Sequence, residues 1–154
     1  MINNDVLRRI RYIFNFNDPQ MVSIFGLAEH QVTKAQVNNW LRKDDDPDFE
    51  KISDTQLAIF LNGLINEKRG KKEGPQPVPE SQLTNNIIFR KMKIALNLKS
   101  EDILVLIHAA NLRISKHELS AFFRKPDHKH YRDCKDQILR KFLIGVQLRY
   151  HKNG

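Results

Sequence analysis

Apolar residues recur along this chain at helical spacing, and the whole pattern is written twice. Over residues 4–16, Val6, Leu7, Ile10, Ile13 and Phe14 fall on one side of a helix, with Arg8, Arg11 and Tyr12 on the other. Eighty-two positions later, Ile88, Phe89, Met92, Ala95 and Leu96 repeat the inner face, and Arg90 and Lys93 the outer. The same offset of 82 aligns Asn3 and Asn4 with Asn85 and Asn86, and Trp40-Leu41-Arg42-Lys43 with Phe122-Phe123-Arg124-Lys125. A constant, gap-free offset of this kind marks a tandem duplication.

Each copy carries three further helical patterns. The second helix starts at Asp18-Pro19, a good cap followed by a residue suited to the first turn, and its twin starts at Ser100. It is apolar nearly all round (Met21, Val22, Ile24, Phe25; Ile103, Leu104, Leu106, Ile107), so it is expected at the buried centre of each lobe. The third helix opens with a capping box, Thr33-x-x-Gln36 or Ser115-x-x-Glu118, and turns Val37, Trp40 and Leu41, or Leu119, Phe122 and Phe123, inward. The fourth starts near Ser53 with a box to Gln56 and carries Leu57, Phe60, Leu61, Leu64 and Ile65; its twin carries Leu139, Phe142, Leu143 and Val146. Gly63 and Gly145 coincide inside this helix, where glycine costs about 1 kcal/mol relative to alanine, and so predict close helix–helix approach. No strand pattern of comparable strength occurs. The expected fold is all-α: two tandem lobes of about four helices each, with a helix-turn-helix-like core in each lobe. The first repeat spans 1–66 and the second 85–154. Residues 67–84, rich in Gly, Pro and charge, form an exposed, flexible linker.

Charge alters this picture of two equal lobes. Residues 1–80 hold 11 Lys/Arg against 12 Asp/Glu, a net −1, whereas residues 81–154 hold 15 against 6, a net +9. Five of the six histidines also lie in the second half. A basic lobe beside a neutral one points to nucleic acid or an acidic protein surface as partner. The loops after the third helix differ in sign, with Asp44, Asp45, Asp46, Asp48 and Glu50 against His128, Lys129, His130 and Arg132. That opposition predicts lobe-to-lobe contact through the loops, within a chain or between two copies of a homo-oligomer. The longest strongly apolar run, Ile103 to Ile107, is too short to span a bilayer, so no membrane partner is expected. With no secretory signal pattern at the start and a single cysteine, the expected compartment is the cytoplasm.

The candidate chemistry is that of binding. In a helix-turn-helix, Gln36, Asn39 and Lys43 would be the stripe facing base edges. Arg8, Arg11, Arg90, Lys93, Arg124 and Lys125 are the candidate phosphate contacts. Asp44, Asp46 and Asp48 alternate as in a calcium loop but lack its glycine and its terminal glutamate. His128 and His130 have no third ligand fixed by spacing. Cys134 aligns with Ile52 and reads as a small core residue. No catalytic residues, no metal and no cofactor are expected, since neither a nucleophile–base pair nor a phosphate-cradling loop occurs at recognisable spacing.

The duplicated unit Val-x-Lys-x-Gln-Val-x-x-Trp-Leu-Arg-Lys, answered by Ser-Lys-x-Glu-Leu-x-Ala-Phe-Phe-Arg-Lys and a following Phe-Leu-x-Gly, resembles the YehS-like family of small bacterial proteins. These carry two copies of a helical domain of unknown function. The resemblance implies a bacterial cytoplasmic protein and brings no activity or catalytic residue with it. The expected function is a non-enzymatic binding module that touches nucleic acid through the second lobe. A protein–protein interaction adaptor is the alternative, and an enzyme with an unrecognised site the third reading.

Overall fold

The computed structural model describes residues 1–152. Among them the chain forms eight helices: α1 (Asn3–Phe14), α2 (Asp18–Leu27), α3 (Lys34–Leu41), α4 (Asp54–Arg69), α5 (Asn85–Ala95), α6 (Ser100–Ala109), α7 (Lys116–Phe122) and α8 (Asp136–Tyr150). Each helix of the second set begins 82 residues after its counterpart in the first. The backbone repeats as faithfully: among the described residues, the four non-glycine positions with positive φ are Asn15 and Glu29, and their equivalents Asn97 and Asn111.

The capping boxes read from sequence form as hydrogen bonds. Thr33 Oγ1 accepts from Gln36 N at 3.1 Å while Gln36 Oε1 accepts from Thr33 N at 2.9 Å. Ser53 with Gln56 and Ser115 with Glu118 do the same. One start lies a residue earlier than expected: Asn17, not Asp18, caps α2 and makes a box with Gln20. Two orphan donors are satisfied at each such start, which fixes where the chain turns into helix.

Trp40 and Phe122 are buried at equivalent places, 2% and 8% exposed. The centre of each lobe is not α2, as its apolar composition suggests, but the fourth helix. Every residue of α4 from Leu57 to Leu64 is buried, whereas α2 buries Met21, Ile24 and Phe25 and exposes Ser23 and Gly26. The cause is that α4 has two partners, α2 of its own lobe and α5 of the other. Gly63 and Gly145 are where the second and fourth helices cross. A Cβ at either position would overlap the carbonyl oxygen of Ile24 or Leu106.

The lobes pack through α4 against α5 and, related by the duplication, α8 against α1. Such a reciprocal pair is what a local twofold arrangement produces. The linker between them is tied down and not free-running. The α4 helix extends through Arg69, beyond the expected boundary at residue 66. Asn66 donates to Gln76 at 2.8 Å, Lys71 pairs with Glu29 at 3.3 Å, Glu80 with Lys91 at 3.0 Å, and Leu83 N donates to Asp54 at 2.9 Å. The expected contact between oppositely charged loops is not made within the chain. Arg8 and Arg42 of the acidic loop's own lobe take Asp44 and Asp46.

Candidate nucleic-acid interface

A buried asparagine holds each loop between the third and fourth helices. Asn4 donates to the carbonyls of Trp40 (2.8 Å) and Glu50 (2.9 Å) and accepts from Ile52 N (3.2 Å). Asn86 donates to Phe122 (3.0 Å) and Arg132 (2.8 Å) and accepts from Cys134 N (2.9 Å). Within the loops, Asp46 N bonds Lys43 O as His128 N bonds Lys125 O, and Glu50 N bonds Asn39 O as Arg132 N bonds Ala121 O. Even a side chain is replaced in kind: Asp48 N donates to Asp46 Oδ1 at 2.8 Å, and His130 N to His128 Nδ1 at 3.0 Å. The two loops therefore share one shape.

They do not share charge. In the first lobe Arg8 pairs with Asp5 (2.8 Å) and Asp44 (3.1 Å), and donates to Arg42 O (2.6 Å). Arg42 pairs with Asp46 at 3.5 Å. The Asp5 carboxyl, raised by burial but lowered more by the Arg8 hydrogen bond and the Ile2 N–H, ends below its usual value and stays ionised. In the second lobe the three carboxylates are gone. Asp5 is replaced by Ile87, Asp44 by Pro126 and Asp46 by His128. Arg124 now meets only the His128 ring, at 3.5 Å, and among the described residues neither it nor Arg90 forms an ion pair.

The exposed cations Arg90, Arg124, Lys125 and Lys129 thus stand around this loop, with Asp127 the one carboxylate of the turn. Lys93 lies 4.8 Å above the Phe123 ring, which orients its ammonium at the same end of the lobe. The remaining residues singled out from sequence are placed elsewhere. Arg8 is a half-buried strut of the first lobe. Arg11 and Lys43 are exposed, the latter past the end of α3. Gln36 is spent on its capping box, and Asn39 accepts from Arg42 Nε at 3.1 Å and reaches toward Glu50.

The family model described as "Protein of unknown function (DUF1456)" matches residues 3–70 and 85–151, one match for each lobe. The chain belongs to this family. It is 45% identical over 152 residues to the uncharacterized protein YehS of Escherichia coli (strain K12), covering 98% of this chain and 97% of that one. No solved structure matches the chain. The second family segment contains Arg90, Lys93, Arg124 and Lys125 together, so the basic face is built wholly within one family unit. The first segment contains the same four positions as Arg8, Arg11, Arg42 and Lys43, and there carboxylates partner both Arg8 and Arg42.

Elsewhere in the second unit, burial pushes the Cys134 thiol up to about 12, with the nearby Asp136 charge adding to the effect, which disfavours its thiolate near neutral pH. His128 and His130 face each other with ring centres 5.5 Å apart. Among the described residues no three His, Cys, Asp or Glu side chains converge to hold a metal ion. No described helix is long and apolar enough to cross a membrane.

Proposed function

We propose that the protein is a non-enzymatic binding module of the cytoplasm that engages nucleic acid through the basic face of its second lobe. One observation carries this reading: with the loop geometry held constant, the second lobe lacks the three carboxylates that neutralise its counterpart. Cations kept on a rigid loop without local partners favour an external polyanion, and phosphate contacts of this kind supply affinity without base specificity. Arg90, Lys93, Arg124 and Lys125 are the contacts in this reading, and Gln36 and Asn39 are left out of it because their amides already serve the fold.

Fluorescence anisotropy with a labelled duplex and a labelled single strand tests the reading. Affinity should fall with salt at a log–log slope of about −0.9 per phosphate contact, or about −0.7 on a single strand. Charge reversal at Arg90, Lys93, Arg124 and Lys125 should abolish binding, while Gln36→Ala with Asn39→Ala should leave it. Binding indifferent to salt, or to the four reversals, removes the proposal. The adaptor reading has its own support: Val105 and Leu148 are each 63% exposed where the first lobe carries Ser23 and Asn66. Nuclease-resistant capture of one specific protein, lost in Val105→Ser with Leu148→Asn, would favour it.

A further inference from the structure

The two inter-lobe contacts are copies of one another, and they have diverged. Where α5 meets α4, the positions equivalent to those of the second contact hold Ile87 and Ile94 on α5 and Ala58 and Ile65 on α4. At the same positions where α1 meets α8 stand Asp5 and Tyr12 opposite Arg140 and Gln147. The first contact is apolar at these four positions, holds the buried Lys91–Asn62 hydrogen bond beside them, and carries the greater part of the packing between the lobes. The second opens into a cleft of about 580 Å³, also lined by Met1, Arg8, Arg9 and Leu143. That volume lies within the range of sites for small organic ligands.

The polar groups of the cleft are unevenly matched. Asp5 is compensated by Arg8, and Asp136, at the mouth, accepts from Asn85 and the Met1 ammonium. Arg9 is held by a neutral group, donating from Nη1 to Gln147 Oε1 at 2.5 Å. Arg140 is exposed and, among the described residues, has no hydrogen-bonded or ion-paired partner, though the Asp136 carboxylate one turn earlier on α8 lies near enough to feel its charge. Two guanidiniums therefore line the cleft from opposite lobes, with neither in an ion pair among the described residues. Tyr12 forms part of the wall, and the His151 ring stacked on it at 4.1 Å keeps its position.

We propose that this cleft binds a small phosphorylated molecule, its phosphate bridging Arg9 of α1 and Arg140 of α8. Guanidiniums suit the tetrahedral oxyanion because their forked donors can each engage two oxygens. A phosphate monoester, close to doubly charged near neutral pH, matches two cations better than a single carboxylate does. The site uses none of Arg90, Lys93, Arg124 and Lys125, so it stands or falls apart from the nucleic-acid reading. A ligand spanning α1 and α8 would clamp the looser of the two lobe contacts.

Titration calorimetry on the full chain, with inorganic pyrophosphate and with adenosine monophosphate as probes, tests this. One saturable site is expected, with Arg9→Gln and Arg140→Gln each weakening it about ten-fold, as for loss of one charged hydrogen bond. Arg90→Glu with Arg124→Glu should leave it intact. Circular dichroism confirms folding. Should Arg9→Gln fail to fold, Tyr12→Ile with Arg140→Ala, which copies the filled contact, should give a folded protein that binds neither probe. Absence of saturable binding at millimolar probe overturns the proposal, as does binding that survives both glutamine substitutions. Loss of oligonucleotide binding in the same cleft variants would also overturn it, by making the cleft part of a nucleic-acid surface.

Discussion

Asn4 and Asn86 carry more of the architecture than any exposed charge does. Each is buried, and each satisfies two carbonyls and one N–H of a loop 36 to 48 residues away. Truncation would strand those groups in a dry place, at a cost of about 1–3 kcal/mol for each one that water cannot reach. Asn4→Ala and Asn86→Ala are therefore expected to destabilise by about 3 kcal/mol or more in urea titrations, and to speed amide exchange at Ile52 and Cys134 respectively. Exchange at those amides unchanged from wild type would contradict the role. Sequence shows these residues as an aligned pair and nothing further, because their partners are backbone groups of a loop with no periodicity. The same limit applies at the basic face. Arg90 and Arg124 are visible as cations, but that their counterparts are neutralised emerges only once Asp5, Asp44 and Asp46 are seen to converge on Arg8 and Arg42.

Helix starts are legible because a capping box is local, and Thr33, Ser53 and Ser115 all cap as their sequence indicates. Which helix is central is less legible, since periodicity reports one buried face while α4 has two. Ala58, Ile59 and Asn62 look peripheral in a stripe built on Leu57, Phe60, Leu61 and Leu64, yet α5 covers them. The paired glycines were the better clue. At Gly63 and Gly145 an added methyl group meets rigid backbone, so alanine forces the second and fourth helices apart; such overpacking costs about 1–3 kcal/mol or more. Gly26 offers the internal contrast. It has nothing within 4 Å of an added Cβ, and alanine there should stabilise by up to about 1 kcal/mol through its helix propensity. Thermal melts of Gly63→Ala, Gly145→Ala and Gly26→Ala should thus move in opposite directions. A common direction would mean that propensity, not the helix crossing, decides.

Across the whole molecule, the duplication gives two small lobes surfaces with which to cover each other. A lobe of this size buries only about 60% of its unfolded surface and is marginal alone, and α4 can be fully covered only when α5 lies on it. Lys91 fastens that contact. Only 9% exposed, it donates to Asn62 Oδ1 of the first lobe at 2.6 Å and stands 3.0 Å from Glu80 of the linker, so one ammonium joins three parts of the chain. In sequence it is one more lysine, the twin of Arg9, and nothing local separates the buried cation from the one lining a cleft. Its environment dictates how substitutions should behave. Lys91→Ala removes the donor of buried Asn62 and leaves a void, and should cost about 2–3 kcal/mol. Lys91→Met removes the same donor and leaves the shielded Glu80 Oε1 without its cation, but it retains the stem packing and sheds a charge that was expensive to desolvate, so the loss should be smaller by the cost of the void. Scanning calorimetry reads both effects against cooperativity. The wild type should melt in one transition whose calorimetric and van't Hoff enthalpies agree. Lys91→Ala should lower that transition or split it into two, because the second lobe loses its anchor before its own core fails. Two resolved transitions already in the wild type, with only one of them sensitive to Lys91, would mean that the lobes fold independently and that the α4–α5 contact is an adjunct.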